Sequence, residues 1–270
     1  IIREFTRLYN GQNLRELRIQ YKDYAAWQRQ MVDSPVLQNQ AVYWRETMQG
    51  EIPVLELPTD FPRPAVQSFA GDRIRFGAEP ELTRKINRLA AQTGSTLYML
   101  LLASYTALLH KYTGQEDIIV GSPVANRNHP DLQDIAGMFV NTLAMRNHPR
   151  ANMPFCEYLQ AVKRNALSAY ENQDYPFEEL VEQLNLKRDV SRNPLFDVML
   201  VLQNMEQSAF DIPGLRFVPY ALDNPAAKFD LTLYVSESKE THSTLDFELE
   251  YCTALFRRDT MERLAGHFIN

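Results

Sequence analysis

Apolar and polar positions follow two rhythms along this chain. A two-residue alternation marks half-buried strands at "DRIRF" (Asp72 to Phe76), "FDLTLYVSE" and "STLDFELEYCTALF", the last two reading as an antiparallel pair. Near-continuous apolar runs bounded by turn residues mark buried strands at "DIIVGSPV" (Asp117 to Val124), "GMFVNTLAMRN" and "LFDVMLVLQN". The helical rhythm appears in residues 1–9, read as the end of a helix, and in "LRIQYKDYAAWQRQMVDSP", which Pro35 is expected to end. Tyr21, Tyr24 and Trp27 fall on one face of that second helix. "VLQNQAVYWRETMQG" is a helix stopped at Gly50, and "EPELTRKINRLAAQTG" an amphipathic one stopped at Gly94. "STLYMLLLASYTALLHKYTG" is apolar nearly all round, with Ser95 as N-cap and Gly114 as stop, so it should lie between other layers. "MPFCEYLQAVKRNALSAYENQ" is a long helix, "PFEELVEQLN" a short one opened by Pro176, and "RRDTMERLAGHFIN" a closing helix. Between helices and first strand, Pro53, Pro58, Pro62 and Pro64 forbid regular structure and predict an extended linker. Strands alternating early with helices and later meeting directly imply a mixed sheet covered by helices, an α/β layered fold.

One strand breaks its own pattern. In "IAGMFVNTLAMR" (Ile135 to Arg146), Asn141 and Thr142 interrupt an otherwise apolar run. A buried amide needs hydrogen-bond partners. Three readings are open: these side chains line a wet or ligand-filled channel, Asn141 bridges backbone groups inside the fold, or both hold at once.

Composition narrows the field. The 270 residues are 45% hydrophobic and 23% charged, with a formal net charge of -6. No segment concentrates Lys and Arg, which argues against a nucleic-acid partner. Cys156 and Cys252 lie far apart and read as two core thiols rather than a disulfide or a metal site. The longest apolar run, Leu97 to Leu109, falls short of the ~20 residues needed to span a bilayer, and no signal peptide is visible. A cytoplasmic protein is expected. The chain opens in helix-like sequence without an initiator Met, as if taken from a longer one.

No ready-made catalytic motif stands out. His110, His129, His148, His242 and His267 are dispersed, with no zinc-helix spacing. Nucleophile-elbow, phosphate-loop and dinucleotide-binding patterns are missing from the sequence. Four polar clusters border apolar elements: "GSPVANR", "NTLAMR", "ENQDYPFEEL" and "RDVSRNPLFDVML". Taken singly, such a cluster reads as a capped, salt-bridged loop.

Taken in order, "YKDYAAW", "IAGMFVNTLAMR", "NQDYPFEEL" and "RDVSRNPLF" resemble four of the seven signature segments of the condensation domain of nonribosomal peptide synthetases, and "GSPVANR" matches a further family stretch. The resemblance spans nearly the whole chain. It implies a chloramphenicol-acetyltransferase-like lobe, one half of a two-lobe V with a tunnel between the lobes. The implied reaction is amide-bond formation between aminoacyl or peptidyl thioesters, an antibiotic-biosynthesis chemistry. No cofactor is bound directly; the thioesters ride on phosphopantetheine arms of donor and acceptor peptidyl carrier proteins. An adjacent adenylation domain and an N-terminal lobe are the other implied partners, with no nucleic acid and no membrane.

By the same resemblance the family's His-His-x-x-x-Asp-Gly segment falls upstream of Ile1, so no catalytic residue is expected in this chain and no turnover from it alone. Residues 1–50 would be a helical crossover from the missing lobe, 51–71 the Pro-rich linker and 72–270 the C-terminal lobe. Arg127 matches the residue that holds the motif Asp, and without that partner it is expected to be solvated or disordered. Asn141, Thr142, Gln203 and Asn204 are the tunnel candidates. Tyr21, Asp23, Trp27, Gln173, Asp174, Phe177, Arg188, Asp189 and Arg192 are the motif residues expected to shape the lobe, with Gln173 and Asp174 at a hydrogen-bonding turn that Phe177 anchors and that Arg188 and Asp189 brace. Exposed lobe-facing apolar area should make the chain self-associate. An epimerisation domain, a coenzyme A acyltransferase of the same superfold, and a non-catalytic carrier-binding or scaffolding lobe are the alternatives.

Overall fold

The computed structural model describes residues 2–187, 189–203, 212, 214–215, 217–218, 226–237 and 244–270. In chain order these form α1 (Ile2–Tyr9), α2 (Tyr21–Met31), α3 (Pro35–Thr47), β1 (Gly71–Ala78), α4 (Pro80–Thr93), α5 (Leu97–Thr113), β2 (Ile118–Val124), β3 (Asn141–Asn147), α6 (Phe155–Glu171), α7 (Phe177–Leu184), β4 (Val198–Gln203), β5 (Leu231–Glu237), β6 (Leu245–Cys252) and α8 (Arg258–Ile269). The six strands make one mixed sheet in the order β1-β6-β5-β4-β2-β3. β4 lies parallel to β2 and to β5, whereas β1–β6, β5–β6 and β2–β3 are antiparallel. The expected β5–β6 hairpin-like pairing is therefore present, and the mixed α/β layering is as the alternation of patterns predicts.

Alternation assigns the sheet's faces. On β1, Ile74 and Ala78 are buried, while Arg73 and Arg75 project from the opposite face to Glu248 and Glu250 on β6. The all-round apolar α5 has ten buried residues and contacts α4, α6, α8 and β2, which is why its sequence lacks a polar stripe. Gly94 and Gly114 end α4 and α5 in the left-handed conformation, at φ 59° and 71°.

Several boundaries differ from the sequence reading. Pro35 opens α3 instead of closing the previous helix. The Ser34 side chain accepts the Leu37 N–H, and a first-turn proline forfeits no intrahelical bond. Thr96, not Ser95, caps α5, accepting from Met99 N, while Ser95 N bonds back to Ala90 O. Pro176 occupies the N-cap position of α7, just before the helix. β3 begins at Asn141, so Phe139 and Val140 lie outside it. Cys252 is buried as expected, but Cys156 sits exposed in the first turn of α6, because that turn projects beyond the core.

The Pro-rich segment between α3 and β1 is extended and sewn down. Glu56 N donates to Gln115 Oε1 and Gln115 Nε2 to Val54 O; Asp60 N donates to Leu255 O, and Gln67 N to Val190 O. α3 contributes Leu37, Ala41 and Trp44 to the main core, and its C-cap Met48 joins them. α2 instead covers a separate small cluster of Tyr24, Leu132, Ile135 and Phe139. None of the described helices is long and apolar enough to cross a membrane.

Phe196 fixes the centre of the sheet. Its ring lies between Phe177, at 5.4 Å, and Phe229, at 5.6 Å, and crosses directly over Gly121 of β2. A Cβ at Gly121 would fall 2.2 Å from Phe196 Cε2. Gly121→Ala is therefore expected to cost about 1–3 kcal/mol through displacement of the ring, read as a lower midpoint in chemical denaturation.

Candidate functional site

Three of the polar clusters that sequence singles out meet at the end of the sheet where β2 exits and β3 begins. Asn141 is the joint. Its Nδ2 donates to Gln173 O and Tyr175 O, both at 2.8 Å. Its Oδ1 accepts from Thr142 N at 2.9 Å and Phe177 N at 3.0 Å. Both donors and both lone pairs of the amide are used. Asn141 is buried, and it caps the otherwise unpaired first N–H of α7 from a distant strand. Asn141 thus bridges backbone groups inside the fold.

α3 holds the same turn from its other side. Gln40, buried at 7% exposure, accepts Tyr175 N at 2.9 Å through Oε1 and donates through Nε2 to Asp174 Oδ2 at 3.4 Å. Trp44 Nε1 donates to Asn172 O at 2.8 Å. Asp174 Oδ1 also accepts Asn128 Nδ2, at 2.9 Å. Gln173 contributes its backbone carbonyl, and Phe177 anchors the turn against Phe196.

Arg127 leaves β2 through this region, and it is neither solvated nor disordered. Its Nη1 donates to Ile135 O at 2.9 Å and to Leu132 O, and the guanidinium stacks 4.1 Å from the Phe139 ring centroid. The loop itself supplies carbonyls and an aromatic face, which orient the guanidinium without cancelling its charge. Among the described residues no carboxylate pairs with it. Tyr24 and Tyr21 of α2 close the other sides of Phe139, at 4.6 and 5.3 Å between ring centroids, and the Tyr21 hydroxyl donates to Met138 O. Gly137 permits this approach, since a Cβ there would lie 2.2 Å from Tyr21 Cδ2. Burial, the nearby Asp174 carboxylate and Tyr21 together push the Tyr24 phenol up. Asp23 accepts Gln20 N at 2.8 Å and fastens the first turn of α2, while Trp27 remains 51% exposed.

The "RDVSRNPLF" cluster begins against the extended segment and ends at Phe196, beside Phe177. Asp189 makes a local turn, accepting Ser191 N and Ser191 Oγ. The long reach belongs to Arg192, which donates to Asp197 and to Leu55 O. Arg63, overlooked in the sequence, pairs through both Nη atoms with Asp230, with Nη1–Oδ1 at 3.0 Å, and also reaches Ser191 O. Asp197 and Asp230 are both buried. Burial and the Asp230 charge push Asp197 above the ordinary carboxylate range, against the pull of Arg192 and Arg63. Arg188 and Asn204 lie outside the described residues. Thr142 is half-buried on β3, and Gln203 is exposed at the end of β4.

Arg146 was also missed as a site residue. It pairs with Asp117 at 2.7 Å and donates to Thr47 O, Gln49 O and Glu51 O, pinning the end of α3. Its place at the end of "NTLAMR", an Arg closing a buried strand, was the available signal. The described histidines contact neighbouring polar groups of the fold. His110 Nδ1 lies 2.8 Å from Gln115 O, His267 Nδ1 lies 2.7 Å from the Tyr112 hydroxyl, and His129 Nδ1 accepts Asp131 N. His148 sits 3.5 Å from Asp117, and His242 is outside the described residues. Among the described residues, no three His, Cys, Asp or Glu side chains gather as a metal cluster.

A turn, a loop and a strand end drawn from the segments that resemble one family thus form one bonded unit. The condensation domain family model matches residues 1–270, and the chain belongs to that family. It is 54% identical over 269 residues to bacitracin synthase 3 of Bacillus licheniformis and 52% identical over 269 residues to tyrocidine synthase 3 of Brevibacillus parabrevis. Each alignment covers 100% of this chain and 4% of the relative, so the chain spans a small part of those proteins. Among solved structures, the X-domain from teicoplanin biosynthesis superposes with a TM-score of 0.89 at 23% identity, over 98% of this chain and 62% of that one. The condensation domain from the monacolin K polyketide synthase gives 0.85 at 20%, over 99% and 63%. The chloramphenicol-acetyltransferase-like lobe expected from sequence is the fold these neighbours share.

Two outcomes test the site's construction. Asn141→Ala strands buried carbonyls and the Phe177 N–H, and should lower stability by about 2–3 kcal/mol in urea unfolding. Arg63→Met leaves the buried Asp230 without its bidentate partner, and should cost about 3–5 kcal/mol, much of it recovered in Arg63→Met/Asp230→Leu.

Proposed function

We propose that this chain is the C-terminal lobe, with its crossover, of a condensation domain that joins two carrier-bound aminoacyl or peptidyl thioesters. Residues 1–50 serve as the crossover, 51–71 as the linker and 72–270 as the lobe. In the reaction the acceptor amine attacks the donor thioester carbonyl. A C–N bond forms, the C–S bond breaks, the amine gives up a proton and the donor phosphopantetheine leaves as its thiol. Delivery of both reactants to one point by tethered arms removes much of the entropic barrier. The partners are donor and acceptor carrier proteins, an adjoining adenylation domain and the N-terminal lobe; the catalytic His belongs to that lobe.

The observation that carries this reading is the state of Arg127. Two loop carbonyls occupy Nη1 and an aromatic ring supports the guanidinium face. Its charge is thereby oriented but not neutralised, a suitable receptor for the carboxylate of the His-bearing motif. Asn141 acts as scaffold, since its amide is saturated, while Thr142 and Gln203 have surface to offer a tunnel.

The test uses the intact domain with its flanking carrier domains loaded with aminoacyl groups, and follows dipeptidyl-carrier formation by mass spectrometry. Arg127→Ala should slow condensation about 10–100-fold, with Arg127→Lys intermediate because an ammonium lacks the planar fork. The 270-residue chain alone should yield no product above background. Unchanged turnover in Arg127→Ala, or robust product from the chain alone, would sink the proposal.

A further inference from the structure

We infer that Asp174 is a positioning residue for Arg127, acting through Asn128, and that Gln40 of α3 sets Asp174 in its turn; this rests on the role proposed for Arg127. Arg127 lies between Asn126 and Asn128. Asn126 is buried and left-handed at φ 49°, a conformation that asparagine takes more readily than other non-glycine residues. Asn128 braces it, with its Nδ2 3.3 Å from Asn126 Oδ1 and 2.9 Å from Asp174 Oδ1. One amide therefore ties both flanks of Arg127 to a carboxylate on a different element.

The chemistry at position 174 calls for an acceptor at both oxygens. Gln40 must present its NH2 to Asp174, because its Oε1 already accepts Tyr175 N. Asn128 must present its NH2 as well, to serve Asn126 Oδ1 and Asp174 together. A carboxylate accepts from both, whereas an amide at 174 would turn a donor toward one of them. The simpler view, that Asp174 only maintains its own turn, leaves its bond to Asn128 unexplained. Asn141, Trp44 and the Gln40–Tyr175 bond hold that turn without the Asp174 side chain. The Asp174–Asn128 bond runs outward, to the loop that carries Arg127. Gln40 of α3, Asp174 and Asn128 thus form one chain of hydrogen bonds that ends at the loop carrying Arg127.

The experiment compares Asp174→Asn and Asn128→Ala, each alone and combined with Arg127→Ala, in the intact domain with loaded carriers. Each single variant should lower kcat about 10-fold, as expected for a slightly misplaced group, with KM for the acceptor carrier and the melting temperature little changed. In the Arg127→Ala background neither should slow the reaction further. A further 10-fold loss in that background would show an independent structural role and overturn the inference, as would single variants within twofold of the parent. Asn128 is exposed, so Asn128→Ala carries the test if Asp174→Asn fails to fold. A slow Arg127→Ala beside a fully active Asn128→Ala overturns this inference alone. An Arg127→Ala of unchanged rate overturns the role of Arg127, and this inference with it.

Discussion

Four hydrogen bonds of one buried amide organise the functional end of this molecule. Asn141 stands where β3 begins, and its side chain meets the turn between α6 and α7 at two carbonyls and one N–H. An irregular turn packed against the core carries backbone groups that need partners. Asn141 satisfies three of them with a group whose donors and acceptors match in number and direction. With the turn held, Tyr175 N and Asp174 face Gln40, Asn172 O faces Trp44, and α7 starts where Phe177 can meet Phe196. Helix α3, the α6–α7 turn and the loop after β2 thereby become one body.

A second set of constraints fastens the extended segment. Proline-rich backbone offers few N–H donors and has little packing of its own. Arg63 and Arg192 compensate by pairing with buried Asp230 and Asp197 and by reaching Ser191 O and Leu55 O. Desolvating two carboxylates is costly, and a hydrophobic replacement could match the pair in stability. What the ions add is direction: a bidentate fork accepts one orientation of the chain. Arg146 does the same for the end of α3, gathering three carbonyls and Asp117 at one guanidinium.

Arginine repeatedly fastens this chain through carboxylates, and Arg127 is held in another way. Arg63, Arg146 and Arg192 each meet a carboxylate of this chain. Among the described residues, Arg127 is held by carbonyls and a ring. This difference is physical, since carbonyl bonds orient a guanidinium without cancelling its charge. It distinguishes Arg127 from the arginines that complete the fold through ion pairs.

The chain's own pattern determined the elements and their layering. Period-two alternation marked β1, β5 and β6, an apolar helix without a polar stripe marked α5 as central, and glycines marked the ends of α4 and α5, because side-chain periodicity and left-handed caps are local properties. The family was equally legible, since its signature segments are contiguous in sequence. Within the site, the polar clusters were visible but their roles were not. Asn141 could be singled out as an amide in an apolar run, yet whether it faced a channel or the backbone depended on a turn some thirty residues on. Arg127 was expected in solvent, and only the folded loop brings Phe139, Leu132 O and Ile135 O to it. Arg63 gave no signal at all, because its partner is 167 residues away and ion pairs carry no periodicity. Such partnerships depend on where backbone carbonyls and distant carboxylates point once the sheet has closed, and tertiary packing alone decides that.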